Sequence, residues 1–455
     1  MRTSRTNKPQ EIPEEKMSNE LRTADGRQLT QHWLTAVAIA WTGFALTSFA
    51  GMAASYASVW YVTEATESPL MLAFVYVCAF LPIGLLSPLA GIVADRFNRK
   101  HIVMACDAFL AVSAALMGGL VALGVLSLPL IFAMVTLFGI EQAFRQPAFN
   151  AAMPLIVPEK HLMRINMLDT LLSSISMICA PALGIALYTT FGLQAVMFFN
   201  AGGAALAAIA MAFATVPTIL ARRTGEQSTF ANLKEGWDTL SSNKGVLILC
   251  GGVVVGMMAY GPLDSLIPLM VEQVFGGNGY LASLITAVFG IGMLAGSAIL
   301  MVRGGTTSLP RIIIGAALVV GTATVVAGLL PSNGFVGFAV AVGFMAIACA
   351  GFNGPLMTII QTHVAPDKLG RVMGLFSAAI GLAIPIGTAL GGAVAEGIGV
   401  SSFFVVDGII VLIIAAALGS FRSVRALNDE VGDRGKAAEQ EACLNRTVAQ
   451  SSKAH

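Results

Sequence analysis

The sequence predicts an all-α integral membrane protein: twelve transmembrane helices in two pseudo-symmetric six-helix bundles, with both termini cytoplasmic. Three observations carry this. Of 455 residues, 56% are hydrophobic and only 11% are Asp, Glu, Lys or Arg, less than half the roughly 25% of an average soluble chain. Apolar runs long enough to cross a bilayer recur twelve times between short polar breaks. Motifs of the first half return in the second at a constant offset.

The charge deficit excludes a solvated globular enzyme, whose surface needs charge, and a disordered chain, which is polar throughout. A net charge of +1 gives no field for a polyanion, so nucleic acid is not a partner. The six cysteines, Cys78, Cys106, Cys179, Cys250, Cys349 and Cys443, show neither disulfide-framework nor metal-ligand spacing and read as small packing residues. Residues 1–32 form a polar tail with no apolar run, which is not a cleaved signal peptide.

A bilayer core about 30 Å thick needs roughly 20 apolar residues per helix. Such runs begin near Trp33, Pro69, Ile102, Pro129, Leu162, Leu193, Gly245, Tyr280, Arg311, Phe335, Val372 and Phe403. Turn-forming segments such as Gly276-Gly277-Asn278-Gly279 and Pro331-Ser332-Asn333-Gly334 part neighbouring runs. The even-numbered gaps and the two tails hold every Lys and Arg except Arg145, and the odd-numbered gaps hold only Glu64, Glu67, Glu272 and Glu396. By the positive-inside rule the even gaps and both tails are cytoplasmic, in the plasma (inner) membrane.

The longest polar connection, 218–244, divides the spans six and six, giving bundles at 33–217 and 245–421 and a second tail at 422–455. Phe144-Arg145-Gln146-Pro147 through Val157-Pro158-Glu159-Lys160 lies over Phe352-Asn353-Gly354-Pro355 through Ala365-Pro366-Asp367-Lys368 at an offset of 208 residues without a gap. The same offset sets Ile83-Gly84 on Ile291-Gly292, and Asp95 on Arg303. Two parallel six-helix repeats are a transporter architecture, with the substrate site at the repeat interface near mid-membrane.

Gly91-Ile92-Val93-Ala94-Asp95-Arg96-Phe97-Asn98-Arg99-Lys100 resembles the signature between the second and third helices of the major facilitator superfamily, with Asn98 where that family usually has Gly. Pro147-Ala148-Phe149-Asn150, Val157-Pro158-Glu159 and Leu369-Gly370-Arg371-Val372 are similar to its drug-exporter branch, which includes bacterial macrolide efflux proteins and some siderophore exporters. The resemblance implies a cytoplasmic gate in which Gly91, Asp95, Arg96, Arg99, Lys100 and Asp107 take part. A carboxylate at such a helix junction can hold one gate state by a charge-assisted hydrogen bond and release it in the other. The alternative for Arg96, Arg99 and Lys100 is that they only set topology. Asp107, at the inner start of span 3, reads as a support for this loop.

Ionisable residues inside spans are expensive, and each is a functional candidate. Glu141 and Arg145, spaced i, i+4, share a face of span 4. Asp169 lies about 10 Å up span 5. Clustered, two acids and one base leave one carboxylate free for a proton; the alternative is a static Glu141–Arg145 pair with Asp169 near the headgroups. The superfamily often carries an Arg earlier in this helix, where this chain reads Phe138-Gly139-Ile140, so Arg145 does not inherit that role. Asp264, beside Tyr260, Pro262 and Pro268 in span 7, either meets a cationic ligand or an outer gate, or snorkels to the interface. Asp407 reads as interfacial. Pro181 and Gly184, with Pro385 and Gly387, correspond to the family's antiporter motif, although the first copy lacks its Gly-Pro pair; ordinary close packing is the alternative.

There is no Walker loop, so ATP does not drive the process, and the scattered histidines form no catalytic or metal constellation. No cofactor is expected. The reading that results is a secondary transporter that exports amphipathic small molecules, macrolide-like by resemblance, in exchange for protons. Export of a siderophore or other metabolite is the alternative, and a non-transporting receptor or enzyme a remote one.

Overall fold

The computed structural model describes residues 33–214, 229–303 and 309–424. The first polar tail, the second from residue 425 on, residues 215–228 at the start of the connection between the halves, and residues 304–308 lie outside the described residues. Among the described residues every regular element is helical: α1 (Trp33–Thr66), α2 (Pro69–Arg96), α3 (Arg99–Ala122), α4 (Leu128–Ile156), α5 (Glu159–Phe191), α6 (Leu193–Phe213), α7 (Thr229–Ser242), α8 (Lys244–Gln273), α9 (Gly279–Arg303), α10 (Leu309–Leu329), α11 (Phe335–His363), α12 (Pro366–Ile398) and α13 (Val400–Ser420). All but α7 contain a stretch long and apolar enough to cross a membrane, which makes twelve spans.

The breaks between helices have local causes. The Ser68 side chain accepts from the Met71 amide ahead of Pro69, Asn98 caps α3, and Asn243 accepts from the amides of Gly245 and Val246; each cap is worth about 1 kcal/mol. Gly192 and Gly399 turn the chain between α5 and α6 and between α12 and α13 at φ +80° and +84°, a region that glycine enters without steric cost. Some helices start up to two turns before their apolar run, α5 at Glu159 and α12 at Pro366, because backbone hydrogen bonding continues through polar turns that hydropathy excludes. Helix α7 was not expected. It stands inside the polar connection, and its Phe230, Leu233, Trp237 and Leu240 recur at spacings of three and four, the stripe of a surface helix. Glu235 of α7 pairs with Arg371 of α12.

Within the first bundle α1 packs on α5 and α6, α2 on α4, and α3 on α4 and α6; the second repeats this with α8 on α12 and α13, α9 on α11, and α10 on α11 and α13. The bundles meet where α2 crosses α12 and α5 crosses α9. A Cβ at Gly84 would meet the Gly381 carbonyl, and one at Gly392 would overlap Ala73. Gly91 and Gly374 stand two turns from Gly84 and Gly381 on the same helix faces, toward the ends that carry the basic residues, and open space faces both. The bundles therefore touch from their middle to the acidic end and diverge toward the basic end.

Candidate functional site

Three helices of the first bundle converge on one guanidinium. Arg145 is 1% exposed; its Nε lies 2.7 Å from Glu141 Oε1, one turn back on α4, and its Nη1 3.8 Å from Asp107 Oδ1 on α3. Nη2 donates to Ser48 Oγ of α1 at 2.9 Å. The guanidinium sits over the Phe44 ring, 4.3 Å from its centroid, and Phe44 stacks on Phe149. The expected i, i+4 pair is present, but its third member is corrected: Asp107, rather than Asp169, completes it. Asp107 faces inward and is 1% exposed, not placed as a loop support, while Asp169 remains half-exposed on α5. With two carboxylates on one base, the cluster can hold one exchangeable proton without stranding a charge.

The signature segment ends α2 and starts α3. Arg99 Nη1 donates to the Ala151 carbonyl at 2.7 Å, and Lys100 Nζ donates to the carbonyls of Ala212 and Ala214, both at 2.7 Å. Arg99 thus ties the segment to the final turns of α4, and Lys100 satisfies carbonyls at the end of α6 that no intrahelical amide reaches, so both hold the segment to its own bundle. Arg96 is exposed. The side chain of Asp95 lies outside the described residues.

Asp264 on α8 is half-buried and lines a small pocket inside the second bundle with Tyr260 of the same helix, Phe289 of α9, Met345 of α11 and Phe404 of α13. Tyr56 of α1 and Tyr76 of α2 lie within electrostatic range of its carboxylate, and Tyr56 accepts a hydrogen bond from Thr286 of α9. A carboxylate among three tyrosines and a phenylalanine offers a charge and ring faces to an organic cation. Snorkelling to the interface is not what the structure shows. Asp407, expected at the interface, is buried as well, at 4% exposure.

Pro181, Gly184, Pro385 and Gly387 lie in α5 and α12. A Cβ at Gly184 would overlap the Ala53 carbonyl of α1, and one at Gly387 the Met258 carbonyl of α8, so both glycines permit equivalent crossings in the two bundles. Met258 stands four residues before Pro262, whose ring cannot donate the hydrogen bond that this carbonyl would receive.

The acidic ends are joined across the bundles. Glu396 of α12 accepts from Ser68 Oγ at 2.8 Å and from the Leu70 amide at 3.1 Å, at the start of α2. Gln273 Nε2 donates to the Glu67 carbonyl at 2.8 Å, and Thr189 and Tyr280 hydroxyls share a hydrogen bond. Tyr56, Tyr76 and Glu396 were missed in the sequence. One signal was available for the first: the repeat offset puts Tyr56 on Asp264.

Residues 31–452 match a family described as transmembrane secretion effector. Macrolide efflux protein A of Streptococcus pyogenes is 30% identical over 391 residues, 85% of this chain and 96% of that protein. Macrolide efflux protein A of Enterococcus faecalis is 30% identical over 68% of this chain and 96% of its own length. Among solved structures, the D323A mutant of the nucleoside transporter NupG superposes with a TM-score of 0.68 at 14% identity, over 85% of this chain and 99% of that one. A D-xylose–proton symporter gives 0.67 at 14%, over 86% and 98%. These two show the fold.

Proposed function

Because this chain belongs to the transmembrane secretion effector family of the major facilitator superfamily, and is a multi-pass membrane transporter, we propose that its cargo is an amphipathic, amine-bearing drug of the macrolide kind, exported in exchange for protons. The observation that carries the reading is Asp264, which lines a pocket of the second bundle with Tyr260 and Phe289 and lies within electrostatic range of Tyr56 and Tyr76 of the first. A protonated amine pairs with the carboxylate while the apolar body of the drug lies on rings and Met345, which repacks around varied shapes.

In this reading the basic ends are cytoplasmic. The bundles then part on the cytoplasmic side in the present conformation, with the outer ends closed through Glu396, Gln273 and Thr189. Drug enters from inside, the bundles rock about the Gly84–Gly381 crossing, and the site opens outward. Glu141 and Asp107 compete for Arg145; a proton taken from outside by one of them leaves the other paired, and returning inward delivers that proton to the cytoplasm. Protons drive the cycle because binding at the acids and binding of drug favour opposite conformations. Asp95, Arg96, Arg99 and Lys100, with Gly91, govern the inner gate, and transport is lost in Asp95→Asn at unchanged membrane abundance. Glu141→Gln and Asp107→Asn lower proton-driven export.

Two measurements test the function. Expression in a drug-hypersensitive strain raises the inhibitory concentration of macrolides, and accumulation of labelled macrolide rises again when a protonophore is added. An unchanged inhibitory concentration for every amphipathic drug leaves export of an endogenous metabolite, such as a siderophore. A protonophore without effect removes proton coupling.

A further inference from the structure

Asp407 lies in α13 about 10 Å from its acidic end. It is 4% exposed, and Oδ2 has no hydrogen-bond partner among the described residues. Its counterpart in the first bundle is identified by geometry. Gly192 and Gly399 start α6 and α13 with the same left-handed φ, and counted from them Asn200 and Asp407 are one position. The buried neighbours coincide, Val196, Met197 and Ala201 with Phe403, Phe404 and Gly408. Asn200 is 0% exposed, and neither of its amide atoms has a partner. Both bundles therefore accommodate a short planar polar side chain here, but only in the second can that side chain carry a proton.

Among the described residues no charge offsets Asp407. The helices packed on α13 are α10, α8 and α12. The only charge on α10 is Arg311, at its basic end. On α8 the titratable groups are Lys244, Cys250, Tyr260, Asp264 and Glu272, and on α12 Asp367, Lys368, Arg371 and Glu396. None forms an ion pair with Asp407 among the described residues. An isolated ionised carboxylate in such a place is costly, so the surroundings accept the neutral acid. Asn200 lies beside Gly51 of α1; the duplicate of Gly51 on α8 is Ala259, next to Tyr260. Phe404, one turn from Asp407, lines the Asp264 cavity.

We propose that Asp407 is a second proton carrier, built into the bundle that lacks the Arg145 cluster: it keeps its proton while α8 seals it and yields that proton to water when α8 bends away at Pro262 and Pro268. The step breaks one O–H bond, passes the proton to water and leaves the electron pair on the carboxylate; return reverses it. This rests on the proton-antiport reading and adds a residue to it.

The experiment uses the full chain reconstituted in liposomes with radiolabelled macrolide, comparing transport driven by an imposed pH gradient with macrolide exchange at equal pH, which needs no net proton movement. The wild-type protein is expected to perform both. Asp407→Asn, which installs the side chain already housed at Asn200, is expected to keep exchange and lower the gradient-driven component, the Arg145 cluster still carrying its proton. Asp407→Glu, which keeps a carboxyl, is expected to retain driven transport with a displaced pH profile, and it serves if the Asn variant does not fold. Gradient-driven transport and a pH profile unchanged in these variants overturn the proposal. So does equal loss of both activities in folded protein, which marks a purely structural residue. A wild-type protein that exchanges macrolide but ignores the gradient defeats the antiport reading itself, and this inference with it.

Discussion

The two bundles share a frame and differ in where they keep charge. In the first, Arg145 gathers Glu141 and Asp107 into a paired, buried cluster. At the duplicate positions the second carries Cys349 for Glu141, Asn353 for Arg145 and Gly315 for Asp107, and its interior acids, Asp264 and Asp407, make no ion pair among the described residues. The lesson is that duplication preserves what packing needs and frees what it does not. Helix contacts, the glycine turns at Gly192 and Gly399 and the close crossings at Gly184 and Gly387 recur. The charges do not, since a paired cluster costs little once built and a lone acid persists only where a ligand, a proton or water meets it.

Removing the base of the cluster breaks this contrast most severely. Arg145→Leu strands two buried acids and is expected to lower stability by about 3–5 kcal/mol, read as a large fall in the midpoint of thermal unfolding in detergent. Cys349→Ser, at the duplicate of Glu141, leaves that midpoint nearly unchanged. Next in size is Gly84→Val, which drives a branched side chain into the Gly381 carbonyl at about 1–3 kcal/mol against the present conformation. Labelling of a cysteine at the acidic ends should rise in it, whereas Gly91→Val, facing open space, has no such effect. Glu396→Ala removes a carboxylate that accepts from both Ser68 and Leu70, worth about 1.5–3 kcal/mol for each charged hydrogen bond but discounted by exposure. It shifts the same labelling more modestly. Glu235→Ala, which loses a partly exposed pair to Arg371, costs under about 1 kcal/mol and serves as the near-silent control.

The membrane makes much of this legible in sequence. Twelve runs, the polar breaks and the repeat can be read because a bilayer imposes length and hydropathy on every span. Glu141 and Arg145 can be paired because helical spacing fixes their shared face. The sequence reading puts Asp169 in the cluster and Asp107 at the loop, although both lie roughly 12–15 Å above the basic ends of their helices, because sequence gives depth along a helix but not its rotation about the axis. Depth left both in reach of Arg145, and only packing chose Asp107. Tyr56 and Tyr76 were hidden for another reason, since a tyrosine in an apolar run looks like any other packing residue until a carboxylate is found opposite it. Helix α7 lay in a stretch whose polarity concealed its periodicity.

The most direct test of the central claim is transport in proteoliposomes of two matched macrolides, one with its amine and one with that nitrogen acylated and uncharged, under an imposed pH gradient, in wild-type protein and Asp264→Asn. The wild type is expected to accumulate the amine at the expense of the gradient and to favour it over the neutral analogue by at least about tenfold, roughly 1.4 kcal/mol, a preference lost in Asp264→Asn. Equal transport of both compounds by the wild type, or an unaltered preference in the variant, would contradict that claim.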